Sequence, residues 1–112
     1  MENERVAIKK IVLTAPINLH PRNTFEAGKT SPVKVKLIWN KVVGAEKYEI
    51  EVKRLTGKEK IHKLNSETNQ AMIELEGIYK PPYVKYTWKV RVVNGKTKSD
   101  WSKSETFKVT TK

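Results

Sequence analysis

The sequence predicts an all-β domain, a seven-stranded sandwich of two antiparallel sheets. Three observations carry this prediction. Apolar and polar residues alternate with a period of two in four separate stretches; no stretch carries the stripe of an amphipathic helix; and β-branched and aromatic residues fill the strand positions while Gly, Pro and Asn collect between them. A sheet with one apolar face must bury it against something. Several short amphipathic strands therefore imply two sheets closing over one core.

Taken in order, Pro16 to Pro21 reads as a first strand at a sheet edge, where a missing N–H is tolerated. Val33, Val35, Leu37 and Trp39 then alternate with Lys34, Lys36 and Ile38, giving a strand with one buried face. A turn at Val43 to Ala45 leads to Tyr48, Ile50 and Val52, which alternate with Glu49, Glu51 and Lys53. Beyond a turn at Thr56 and Gly57, a short polar strand is expected near Ile61 to Leu64, with Asn65 to Asn69 as loop. Ala71, Ile73 and Leu75 supply the next inward face. Gly77 and the Pro81-Pro82 pair break the pattern, so the segment to Tyr83 is expected to be a long crossing loop. Tyr86, Trp88, Val90 and Val92, alternating with Thr87, Lys89 and Arg91, make the strongest strand. Asn94-Gly95 is a hairpin signal, and the surrounding NGKTKS suggests a loop longer than two residues. Phe107 and Val109 mark the inward face of the last strand.

A chain of 112 residues is the size of one domain with one modest core. Residues 15–110 are assigned to it, residues 111–112 to a tail, and residues 1–14 to a linker, an extra strand or the end of a preceding module. No cysteine is present, which excludes disulfides, thiolate nucleophiles and thiolate metal sites but does not fix the compartment. The start MENERVAIKK is not the basic-then-apolar pattern of an export signal, and no apolar run is long enough to span a membrane, so no membrane insertion is expected. The net charge is +11, from 23 basic and 12 acidic residues. Residues 80–112 hold nine of the basic and two of the acidic ones, so the excess lies in the last third. Such an excess favours anionic partners.

The stretches VKLIWNKVVGAEKYEIEV, YTWKVRVVNG and SDWSKSETFKV, in this order and spacing, resemble the fibronectin type III domain, notably its versions in bacterial and archaeal multidomain proteins. With Pro16 as the domain start, the resemblance covers about ninety residues. It implies that Trp39 is the core tryptophan of strand B, that Tyr48 is the strand-C aromatic, and that Tyr86 is the corner tyrosine, its hydroxyl bonded to backbone near the E–F connection. It also implies termini at opposite ends of the sandwich; the compartment stays open, an extracellular or cell-surface place in a larger protein being one of the options. The family's leucine six residues before the corner tyrosine is replaced by Lys80, which implies an altered E–F loop. Trp101-Ser102 resembles the second half of the WSxWS signature of cytokine-receptor fibronectin domains, with the first tryptophan replaced by Lys98. By that resemblance Trp101 folds over the outer sheet face onto Arg91.

The residues present argue against catalysis and against any cofactor. His20 and His62 lack the spacing of a metal site, and the Ser and Thr residues lack a histidine base. Glu49 and Glu51 share a face, but beside a basic strand their simplest role is cross-strand pairing with Lys89 and Arg91. Trp39, Tyr48, Tyr86, Trp88 and Phe107 are expected in the core, which removes them as stacking platforms, and Arg91 is expected to serve the structure. Lys96, Lys98, Tyr79, Tyr83 and Trp101 remain as candidate interaction residues. The expectation is a non-catalytic spacer or protein-recognition module, working with adjacent domains or a protein partner. The competing reading is a module for an anionic ligand (sulfated glycan or nucleic acid) or for carbohydrate.

Overall fold

A computed structural model describes residues 12–23, 25–28, 32–75 and 83–111. Its strands are β1 (Phe25–Gly28), β2 (Val33–Ile38), β3 (Lys47–Arg54), β4 (Lys60–Ser66), β5 (Gln70–Leu75), β6 (Val84–Asn94), β7 (Thr97–Lys98) and β8 (Glu105–Thr111). The larger sheet runs β1-β8-β6-β3-β4, with β7 hydrogen-bonded to β6; the smaller is the β2-β5 pair. This is the two-sheet sandwich expected from the alternation. All pairs are antiparallel except β1 with β8, which is parallel.

The alternating residues do what their period requires. Val33, Val35, Leu37 and Trp39 from one sheet meet Tyr48, Ile50, Val52, Val84, Tyr86, Trp88, Val90, Val92, Phe107 and Val109 from the other, all buried, and Ile73 and Leu75 complete the small sheet's inner face. Trp39 sets its ring edgewise to Tyr48, with centroids 5.2 Å apart, and lies 6.0 Å from Trp88. Tyr86 stacks on Phe107 at 5.7 Å. Each buried ring contributes a few kcal/mol by area alone, so these five aromatics anchor the core. The connection 76–82, where the partner of the Tyr86 hydroxyl is expected, lies outside the described residues.

Three elements differ from the sequence reading, the first being β1, a four-residue strand at Phe25–Gly28 that the reading does not include and that pairs parallel to β8. Pro16 to Pro21 runs beside β2 without forming a regular strand. His20 and Ile38 exchange backbone hydrogen bonds of 2.8 and 2.9 Å, and Asn40 N–H donates to Ile17 O at 3.0 Å. Between them Asn18 takes a positive φ of 58°, which interrupts the ladder, while Leu19 drops into the core. The hairpin after β6 is tight: Asn94 pairs directly with Thr97, leaving only Gly95 and Lys96 in the turn. Gly95 has φ of 60°, the left-handed conformation that such a turn needs and that glycine adopts freely. The side chain of Glu46 accepts the Gly95 N–H at 2.8 Å, closing the turn onto the β2–β3 connection.

Candidate interaction surface

Outward-facing residues of the large sheet form a lattice whose columns are strands. Because Tyr48, Ile50 and Val52 point inward, Glu49 and Glu51 point outward, and the register sets them opposite Arg91 and Lys89 of β6. Arg91 Nε lies 2.7 Å from Glu49 Oε1, and Lys89 Nζ lies 3.7 Å from Glu51 Oε1. Lys98 of β7 approaches the second oxygen of Glu49 at 3.4 Å. The Arg91 hydrogen bond holds the Glu49 carboxyl below the usual carboxylate range; partial burial opposes this, and the charges of Arg91 and Lys98 reinforce it.

Trp101 lies half-buried over this lattice. The Arg91 guanidinium is 4.3 Å, and the Lys89 ammonium 4.7 Å, from its ring centroid. Both are within cation–π range. The cause is local to SDWS. Ser99 N–H donates to Val92 O at 2.9 Å while its Oγ accepts Val92 N–H at 2.9 Å. Ser102 repeats the arrangement on Val90, at 2.9 and 3.0 Å. Each serine thus presents its hydroxyl to β6 where a paired strand would present a carbonyl. Three residues of this segment advance along only two of β6, so the chain bulges and the intervening Asp100 and Trp101 leave the ladder. Residue counting places Trp101 out of step; the two serine contacts account for it. Sequence reasoning missed Ser99 and Ser102, and their signal was a pair of small hydroxyls at a spacing of three beside an aromatic.

The candidate residues do not converge. Lys98 and Trp101 share the Glu49–Arg91 neighbourhood, beside a shallow concavity of about 260 Å³ that Lys63, Leu64 and Asn65 also line. Lys96 is exposed at the hairpin tip. Tyr83 is at the other end of the sheet, half-buried, with Lys108 Nζ 4.7 Å over its ring. Tyr79 lies outside the described residues. Among the described residues no group of three His, Asp or Glu side chains could hold a metal ion, and no helix is long and apolar enough to cross a membrane.

A family model for the Rha78A-like, N-terminal immunoglobulin domain matches residues 40–111, from the end of β2 through β8. The chain belongs to this family. Among solved structures, this Rha78A-like immunoglobulin domain is similar to the fn3 domain of the human collagen alpha-1(XX) chain, at 21% identity over 89% of this chain and 88% of that one, with a TM-score of 0.65. It is also similar to the third fibronectin III domain of human KIAA0343 protein, at 20% identity over 90% and 86%, with a TM-score of 0.63. The FN5 domain of Drosophila Lar gives 17% over 88% and 98%, with a TM-score of 0.61. At these identities the likeness establishes the fold. No curated protein matches the chain. The Rha78A-like domain is thus a fibronectin-like, immunoglobulin-like module of the kind that generally serves structure or interaction without catalysis.

Proposed function

We propose that this domain is a non-catalytic spacer that holds its flanking segments apart at a fixed separation. The observation that supports the reading is where the described chain begins and ends. Ile17 O accepts the Asn40 N–H just after β2, and Leu13 packs on the core, so the chain comes in at the end of the sandwich where β2 gives way to the β2–β3 connection. It leaves along β8, whose Val109 pairs with Val84 at the start of β6. The two points are separated by the length of β6, eleven residues, or about 35 Å at the rise of an extended strand. A buried aromatic core makes that separation stiff. In this reading β8 hands the chain to the domain that follows, in keeping with the N-terminal position in the family's name. Exposed Ile17, beside Asn40 at the opposite end, suits contact with whatever precedes it.

The test is a domain exchange in the intact parent protein. Residues 12–111 are replaced by an unrelated fibronectin type III sandwich of equal length, or by a flexible Gly/Ser linker. A spacer predicts that the parent's activity and interdomain distance survive the first exchange and not the second. Loss in both exchanges rejects the spacer and identifies a recognition module.

A further inference from the structure

The outer face of the large sheet is a lattice of matched charges until its far end. On β6, Lys89 and Arg91 each face a β3 carboxylate. Lys85 of the same strand faces Lys108 of β8 instead. With Tyr86 and Phe107 both buried, these two lysines point outward together. Among the described residues neither forms an ion pair. Like charges directly opposed across an antiparallel pair repel, with Cβ atoms only about 5 Å apart. Both are partly buried, which reduces screening by water.

Neutral donors surround the pair. Asn23 and Thr106 line the same concavity of about 310 Å³ as Lys85 and Lys108. Asn23 is fixed there because its backbone N–H donates to the Thr106 carbonyl, and because its φ of 49° is a left-handed conformation that asparagine tolerates better than most residues. Tyr83 lies under the Lys108 ammonium and keeps it on the sheet surface.

We propose that Asn23, Lys85, Thr106 and Lys108 form a binding site for one oxyanion: a sulfate, phosphate or carboxylate group. An anion between the two ammonium groups converts their repulsion into shared attraction, and the hydroxyl and carboxamide complete its hydrogen bonding. Lys98 is a poorer choice because Glu49 already holds it.

The group could be a free ion or could hang from a saccharide, and one titration separates these sources. Amide chemical shifts of the full chain are followed against sodium sulfate, inorganic phosphate, glucuronate and a sulfated disaccharide, with sodium chloride at matched ionic strength as control. Saturable shifts are expected at Asn23, Lys85, Thr106 and Lys108, with Lys96 and Lys98 unmoved. Lys85→Gln and Lys108→Gln are each expected to weaken binding about tenfold, and Lys96→Gln not at all. A disaccharide binding about tenfold tighter than sulfate identifies a saccharide-borne group; equal affinities identify a free ion. Lys85→Gln relieves the repulsion and leaves the Lys108–Tyr83 contact intact, so its thermal midpoint in the absence of anion should equal or exceed that of wild type, which separates lost binding from lost folding. Shifts that sodium chloride reproduces, or saturable shifts only at the hairpin, overturn the site.

Discussion

Replacing Ser102 by Ala removes one oxygen, and the geometry says what that costs. The Ser102 hydroxyl accepts the N–H of Val90 at 3.0 Å and donates to the Lys103 carbonyl at 3.0 Å. Lys103 is exposed, so water replaces the lost donor at its carbonyl. Val90 is fully buried and its N–H has no such recourse. The cost is therefore one buried, unsatisfied donor, about 1–3 kcal/mol. No comparable cavity penalty is added, since the change deletes a single atom at a site 6% exposed. Ser99→Ala should behave alike, because its hydroxyl accepts the Val92 N–H and Val92 is equally buried. Reversible urea unfolding should show lower midpoints at unchanged slope, and the Val90 amide should lose hydrogen-exchange protection in Ser102→Ala alone. Stability within about 0.3 kcal/mol of wild type, with protection retained, would refute the claim that these hydroxyls stand in for a missing strand partner.

Three further outcomes are expected. A double-mutant cycle of Trp101→Ala and Arg91→Gln in urea unfolding should give a coupling of about 0.5–1 kcal/mol, because the ring is half-exposed; simple additivity would remove the cation–π contact from the account. Glu49 is depressed in the folded state, so its stabilisation is fully present above its unfolded pKa and is lost as pH falls through the folded one; Glu49→Gln should flatten the stability profile in that acidic window, and an unchanged profile would contradict the Arg91 bond. Gly95→Ala should cost about 1–2 kcal/mol from backbone conformation alone, since an added Cβ meets nothing within 4 Å; unfolding midpoints equal to wild type would mean the turn is not held left-handed.

The fold was legible because its core obeys one rule. Every inward residue named from the period of two in the runs at 33–39, 48–52 and 86–92 is buried, and the pairing of Glu49 and Glu51 with basic β6 follows once those strands are neighbours. What the sequence concealed depends on breaks in that period. Asn18 interrupts an edge that its prolines and apolar residues make look continuous, and the parallel β1–β8 pair involves a four-residue strand too short to show alternation. The hairpin appears long because Thr97 and Lys98 are polar, yet both sides of so short a strand lie at the surface, where polarity carries no information about pairing. The opposition of Lys85 and Lys108 is invisible for a different reason. It depends on the register of β6 against β8, which brings together two lysines far apart in the chain, and nothing local to either lysine specifies it.

A net charge of +11 invites the idea of a polyanion laid along the sheet, and the arrangement of the charges opposes it. A strand of phosphates or sulfates crossing β6 would meet Arg91 and Lys89, but Glu49 and Glu51 face the same surface at 2.7 and 3.7 Å from them. Binding would require breaking those pairs and bringing anions against two carboxylates, and Trp101 covers the cations besides. Counterion release rewards only cations free to neutralise the polymer, so the central rows contribute little affinity. Long-range positive potential survives, because it depends on total charge. A weak, salt-sensitive attraction for anions with one localised contact at the proposed Lys85–Lys108 site is consistent with both facts, and it leaves the paired face unoccupied by anions.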